Sequence, residues 1–384
     1  MEKNTLYWIW LVEQCGIFNT DINSILEQFD SIEEIYNETD YASVTNVKQS
    51  TLRKLKDKNL KKAENILKAT QDLGSDVVTY DDVRYPDALR SIPNPPYVLY
   101  MKGEIMNWDR ILGIGIVGTR RSTEYGIKAT KMIAGDLAAC GVTIISGMAR
   151  GIDTVAAEAA LGAGNKTIAV LGCGIDVVYP SENKKLMDKI AENGTIITEY
   201  PPKTQPIGNN FPWRNRIISG LSRGVLVAEA PKKSGALITA EYALEQGKDI
   251  FAVPGSIFKP ESEGANKLLA SGAKAVTSAK DILDEYVFEI ERLKIEKPTV
   301  IEKIFKGGKK INNEIKISLD DKRFLGLTDE DKQIISLLIE DNMHIDDIAR
   351  RTGIDAASLS IKLSMLEFSG HIQKIPGNNY KLNV

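Results

Sequence analysis

The residues best suited to chemistry stand together in Phe211-Pro-Trp-Arg-Asn-Arg-Ile-Ile-Ser-Gly-Leu-Ser222, where Arg214 and Arg216 flank Asn215. A guanidinium is a planar fork that matches phosphate oxygens bidentately. The motif runs into an apolar segment, Gly224-Val-Leu-Val-Ala-Glu-Ala230, that reads as a buried strand, and then into Ser234-Gly-Ala-Leu-Ile-Thr239, which reads as a helix start. Unpaired N–H groups at a helix amino terminus favour anions. The set therefore suits a phosphate-bearing ligand, either a nucleotide or a strand of nucleic acid. Phe211 and Trp213 add flat faces on which bases could stack, though Phe211 is equally suited to a core.

Such groups need a rigid edge, and the surrounding sequence supplies one. Short β-branched apolar runs at 111–118, 142–146, 167–172, 195–198, 224–228 and 249–253 alternate with helical patterns, such as 125–140 and 153–161. That alternation implies parallel strands covered on both faces. The expected fold class is α/β, a Rossmann-like doubly wound parallel sheet. Ligands of such sheets bind beyond the carboxyl ends of the strands. Those ends are Gly118-Thr-Arg-Arg-Ser122, the 146–153 loop with Gly147 and Gly151, Gly172-Cys-Gly174, the 201–212 loop and Pro254-Gly-Ser256. The candidate phosphate site combines Gly118, Arg120, Ser122, Gly147, Gly151, Lys166, Lys184, Arg214, Asn215, Arg216, Ser234 and Gly235, with Phe211 and Trp213 for bases. Asp153 reads as a helix N-cap.

Other chemistries are excluded by what the chain lacks or misplaces. Gly113, Gly115 and Gly118 satisfy G-x-G-x-x-G, but two of them fall inside the strand, whereas a dinucleotide fingerprint needs its glycines in the following turn. Cys15, Cys140 and Cys173 are widely spaced, and the two histidines, His344 and His371, lie near the carboxyl terminus. No disulfide framework, metal centre or cofactor is expected from them. The apolar run Leu6–Val12 is too short to cross a membrane and has no basic flank or cleavage site, so a soluble cytoplasmic protein is expected. The net charge of −3 is uneven. Residues 111–278 carry +4, the only clearly basic region, while 328–384 carry −3. A basic middle suits a polyanion.

The flanks read as modules. Residues 1–75 form a helical bundle, 76–286 the Rossmann-like domain, 287–327 a charged linker with Lys306-Gly-Gly-Lys-Lys310 as a flexible point, and 328–384 a winged helix. The winged helix has helices at 329–340, 344–352 and 355–369 and a wing turning at Gly377-Asn378. Its third helix offers Ser358, Ser360, Lys362 and Ser364 where a DNA-reading helix offers Arg, Lys, Asn or Gln, which favours an accessory or protein-contact role.

Val117-Gly-Thr-Arg120 with Tyr125-Gly126, Ser146-Gly-x-Ala-x-Gly-Ile-Asp153, Lys166-Thr-Ile-Ala-Val170, Tyr179-Pro-x-x-Asn183, Phe211-Pro-x-Arg-Asn-Arg216, Ser234-Gly-x-Leu-Ile-Thr-Ala240 and Val253-Pro-Gly255 together resemble the DprA/Smf family, DNA-processing protein A. Tyr85-Pro-x-x-Leu89 and Pro95-Pro-x-Val-Leu99 resemble its lead-in. The resemblance implies a protein that binds single-stranded DNA, delivers it to the RecA recombinase during natural transformation, and forms a homodimer; since the sequence shows none of the usual nucleophile–base pairs, a non-enzymatic role is expected. The resemblance also implies a SAM-like or helix-hairpin-helix-like type for the 1–75 bundle and makes 76–286 the DNA-binding and dimerisation domain; a dimer surface around 240–252 is read from the apolar Tyr242, Leu244 and Phe251, each equally open to a place in the core. Ala157 stands where the family has histidine and Lys248 where it often has arginine, so no role passes to either position. Two rivals remain at this point. One is a nucleotide-processing enzyme like the Rossmann-fold phosphoribohydrolases, faintly echoed by Thr239 and Glu241; the other is a regulator reading DNA through the winged helix.

Overall fold

The computed structural model describes residues 2–18, 20–293, 327–340, 343–375 and 379–382. They belong to two units, Met1–Gly307 and Gly308–Val384. Most of the expected linker, including 306–310, and the wing turn at 377–378 lie outside the described residues.

Five short helices open the chain: α1 (Glu2–Cys15), α2 (Asp21–Leu26), α3 (Ile32–Asn37), α4 (Gln49–Leu55) and α5 (Lys61–Asp72). A helix that is apolar on every side belongs in an interior. Tyr7, Trp8, Ile9, Trp10 and Leu11 are accordingly all buried, and Trp10 Nε1 donates to the Asp57 carbonyl at 2.7 Å. The bundle does not stand apart from the sheet domain. Its core is continuous with Tyr97, Val98, Tyr100, Leu186 and Ile196 of that domain.

Next come β1 (Asp76–Thr79), α6 (Asp87–Arg90) and β2 (Val98–Gly103), in the stretch that carries the Tyr-Pro and Pro-Pro motifs. The alternating core begins with β3 (Gly113–Gly118), α7 (Glu124–Ala139), β4 (Thr143–Ser146), α8 (Ile152–Gly162), β5 (Thr167–Val170), α9 (Lys184–Asn193) and β6 (Thr195–Thr198). It continues through α10 (Asn210–Leu221), β7 (Gly224–Glu229), α11 (Gly235–Glu245), β8 (Asp249–Ala252), α12 (Glu263–Ala270), β9 (Lys274–Ala275), α13 (Ala279–Leu283) and α14 (Val287–Arg292). The nine strands form one sheet ordered β1-β2-β6-β5-β4-β3-β7-β8-β9. From β6 to β9 every pairing is parallel, while β2 pairs antiparallel with β6 and β1 antiparallel with β2. The doubly wound core stands as read, with an antiparallel edge that its wholly parallel reading did not include.

The chain winds outward from β3 through β4 and β5 to β6, then returns to place β7 against the other side of β3. The direction of winding reverses between β3 and β7, and crevices open at such reversals. Burial on both faces explains the near-continuous apolar strands: every residue of β4, β5, β6 and β7 is buried. The arginine motif is helical: Phe211–Leu221 lies in α10, whose start at Asn210 shortens the expected 201–212 loop.

In the second unit, α15 (Asp329–Glu340), β10 (Met343–His344), α16 (Ile345–Thr352), α17 (Ala356–Phe368), β11 (Ile372–Ile375) and β12 (Asn379–Leu382) enclose Ile334, Ile335, Ile348, Leu359 and Leu363. The three strands order β10-β12-β11, a winged-helix arrangement.

Candidate nucleic-acid interface

A cleft of about 560 Å³ lies at the reversal, over the carboxyl ends of β3 and β7. The loop after β3 supplies Gly118, Thr119, Arg120 and Arg121; the loop after β7 supplies Pro231, Lys233 and Ser234; α10 supplies Phe211, Arg214 and Asn215. Gly235, Ala236 and Thr239 bring the first turns of α11, and Tyr179 with Pro206 and Gly208 closes a side. Three cations stand exposed on this rim, Arg120, Arg121 and Lys233. No ion pair holds any of them among the described residues, whereas nearby Arg150 is held by Glu182 and Lys232 by Glu263. The Arg120 guanidinium lies 5.2 Å over the Phe211 ring, and Tyr179 lies 5.2 Å from the same ring. Cation and aromatic face thus sit side by side, an arrangement that suits a phosphate and its base.

Backbone geometry holds Arg120 in place. Gly151 has φ +77°, and a Cβ there would lie 2.4 Å from the Thr119 carbonyl and 3.1 Å from the Arg120 Cα. Only glycine allows α8 to begin that close to the loop. On the other side Glu229 is buried and accepts from the Thr123 backbone N–H at 2.8 Å and its hydroxyl at 2.5 Å, so the end of β7 is tied to the cap of α7. At α11, Ser234 is the N-cap, accepting from the Ala236 N–H at 3.3 Å. The amino-terminal turn of α11 carries about half a positive charge towards the cleft.

Below the rim the groups are already committed. Arg214 is 3% exposed and donates to the carbonyls of Gly147, at 2.8 Å, and of Val170. It fixes the floor, tying α10 to the ends of β4 and β5, and burial pulls its pKa downward. Asn215 donates to the Gly235 carbonyl at 3.2 Å, joining α10 to α11. Asp153 is not the N-cap of α8, a place that Gly151 holds; its carboxylate reaches back to accept from the Gly147 and Ala149 N–H groups at 3.1 and 3.3 Å. Desolvation pushes its carboxyl up to about 6, against the pull of Arg214.

Several sequence candidates fall elsewhere. Arg216 is 2% exposed and forms a bidentate pair with Glu199 at 2.8 and 2.7 Å, outside the cleft. Lys166 precedes β5, so it stands at the amino edge of the parallel sheet, paired with Glu104 at 2.5 Å. Lys184 pairs with Asp188 at 3.3 Å at the start of α9, and neither it nor Ser122 lines the cleft. The Gly147 N–H is taken by Asp153 and is not offered to a ligand. Trp213 packs against Phe18 and under Arg216 rather than facing the cleft. Of the expected dimer positions, Phe251 is core, Tyr242 is half-buried and Leu244 is 70% exposed.

Lys233, Tyr179 and Thr239 line the cleft without having been singled out as ligands. Lys233 was within reach of the rule that a strand-end loop carries the site, since it lies between β7 and Ser234. Tyr179 comes from a loop whose approach depends on tertiary packing.

Comparisons with known proteins give the family. A family model described as DNA recombination-mediator protein A matches residues 76–287, and one described as the DprA winged helix domain matches residues 325–378. The chain is 37% identical over 330 residues to Protein Smf of Synechocystis, covering 82% of each chain. It is 38% identical over 286 residues to DNA processing protein DprA of Streptococcus pneumoniae, covering 74% of this chain and all of that one. The solved structure of that pneumococcal protein superposes with a TM-score of 0.66 at 36% identity over 73% of this chain and 98% of that one. A structure presenting the single-stranded DNA binding mode of DNA processing protein A from Helicobacter pylori has a TM-score of 0.51 at 33% identity, covering 56% and 96%. Among the described residues no helix is long and apolar enough to cross a membrane. The chain belongs to the DNA recombination-mediator protein A family.

Proposed function

We propose that the protein binds single-stranded DNA in the cleft between β3 and β7, protects incoming strands and passes them to the RecA recombinase during natural transformation, acting in the cytoplasm as a homodimer. The observation that carries the reading is the unpaired set Arg120, Arg121 and Lys233 around the Phe211 face, at the point where the sheet reverses. Cations on a cleft draw phosphate by releasing counterions, and an aromatic face stacks any base. The site has no groove-reading helix, so single strands are bound in preference to duplex and with little regard to sequence. The role in this reading is non-enzymatic, and the carboxylate of Asp153 in the floor is occupied by two backbone N–H groups.

Titration with oligo-dT tests the reading. The parent protein should bind it with a salt-dependent affinity, and Arg120→Ala and Lys233→Ala should each lower the slope of log affinity against log salt by ~0.7, one single-strand phosphate contact. An unchanged slope in both variants would overturn the assignment. Release of free base from nucleoside monophosphates would favour the phosphoribohydrolase reading instead.

A further inference from the structure

The loop after β8, the strand beside β7, carries two adjacent large apolar side chains in solvent: Ile257 is 83% exposed and Phe258 86%. This loop is braced. Asn266 and Gly255 exchange two hydrogen bonds at 3.1 and 3.0 Å, the Tyr125 hydroxyl donates to the Pro254 carbonyl at 2.6 Å, and the Phe258 N–H donates to Ser256 Oγ at 3.3 Å. It also adjoins the cleft. The Gly264 N–H at the start of α12 donates to the Ala230 carbonyl at 2.8 Å, and Lys232 pairs with Glu263 at 3.5 Å, so the loop's far end is tied to the segment that bears Lys233 and Ser234. Tyr125 is itself half-exposed.

We propose that Phe258 is a base-stacking platform that carries single-stranded DNA out of the cleft along the β8 side, with Lys259 beside it for the backbone. The inference rests on the single-strand reading of the cleft. Adjacent exposed apolar side chains on a braced loop mark a contact surface. Its neighbours argue for the occupant. The strand order sets the loop after β7, with Lys233, between the loop after β3, whose Arg120 lies over Phe211, and the loop after β8, which carries Phe258, and a nucleic-acid strand repeats phosphate and base in that alternation. A strand gripped at the cleft then has a second face waiting where it leaves, while Lys233 and Lys259 are exposed along the same edge.

The experiment is a ladder of oligo-dT lengths titrated against the full chain, Arg120→Ala, Phe258→Ala and Phe258→Trp. Phe258→Ala should match the parent on the shortest oligonucleotides that bind, and fall about 5- to 150-fold behind on long ones, the range of one lost base–aromatic stack. Phe258→Trp should retain the parent's affinity and add a fluorescence signal that long oligo-dT quenches. Arg120→Ala should lose affinity at every length. Failure of the parent to bind oligo-dT would bring down the single-strand reading itself. If the parent binds and Arg120→Ala weakens that binding, equal affinities of Phe258→Ala and parent at all lengths would overturn only the platform. A loss independent of length, or a changed oligomeric state with DNA affinity intact, would overturn it too, the latter by assigning the loop to a protein contact.

Discussion

Arg216→Ala separates a DNA ligand from a structural charge, because the residue stands in a motif suited to phosphate yet folds into an internal ion pair. Its guanidinium donates to both Glu199 oxygens, at 2.8 and 2.7 Å, and to the Asn94 carbonyl at 2.9 Å, and lies 4.5 Å over the Trp213 ring. The two charged side chains are 2% and 4% exposed. Truncation leaves the Glu199 carboxylate buried without its main partner, and breaking a buried pair from one side costs ~3–5 kcal/mol. Each kcal/mol moves the melting temperature of a domain of this size by ~2–4 °C, so the midpoint should fall by ~6–20 °C. Replacing both partners, Arg216→Met with Glu199→Leu, removes the orphaned charge and should restore most of the loss, since apolar substitutes of similar volume are often neutral or stabilising. Calorimetry reads both variants, and oligo-dT titration well below the melting range reads the site. An Arg216→Ala protein that melts with the parent but has lost oligo-dT would refute the reasoning and make Arg216 a ligand.

Lys166→Ala should leave oligo-dT affinity and salt slope unchanged, because its ion pair with Glu104 stands at the amino edge of the sheet; a slope lowered by ~0.7 would put it in the site. Asp153 holds its proton more tightly in the fold, at about 6 against a reference of 3.8, so its contribution to stability is fully present below the lower value and is lost as pH rises through the upper. Protonation also removes a negative charge that acts on Arg214 and Arg120, so oligo-dT affinity should rise as pH falls through about 6, and Asp153→Asn should flatten that rise; an equal rise in the variant would assign it to other groups. Deleting 320–384 should leave most single-strand affinity in place, since that region's winged helix is acidic and the cleft belongs to the other unit; a tenfold loss, ~1.4 kcal/mol, in a folded protein would give the winged helix a share in binding.

Strand and helix alternation was legible in the sequence because each core strand is a short apolar β-branched run between amphipathic stretches, and periodicity is a local property. The same logic put Arg120 at a strand end, where sites form, and it should have kept Lys166 out: a residue before a parallel strand stands on the opposite edge from one after it. The antiparallel edge was harder to read. Strands β1 and β2 lie in a stretch dominated by Pro, Tyr and Asp, and their pairing partners become visible only when β6 is in place.

Tertiary structure alone decided the fates of the arginines in one helix. Residues two apart on a helix project to nearly opposite sides, at 100° per residue, so Arg214 and Arg216 could not share one ligand. Which faced the cleft depended on carbonyls at Gly147 and Val170 and a carboxylate at Glu199, all distant in sequence. Spacing names the residues able to hold phosphate; only packing reveals which of their charges already have partners. Arg120 and Lys233 keep theirs outside any ion pair among the described residues, on loops that end at the reversal of the sheet.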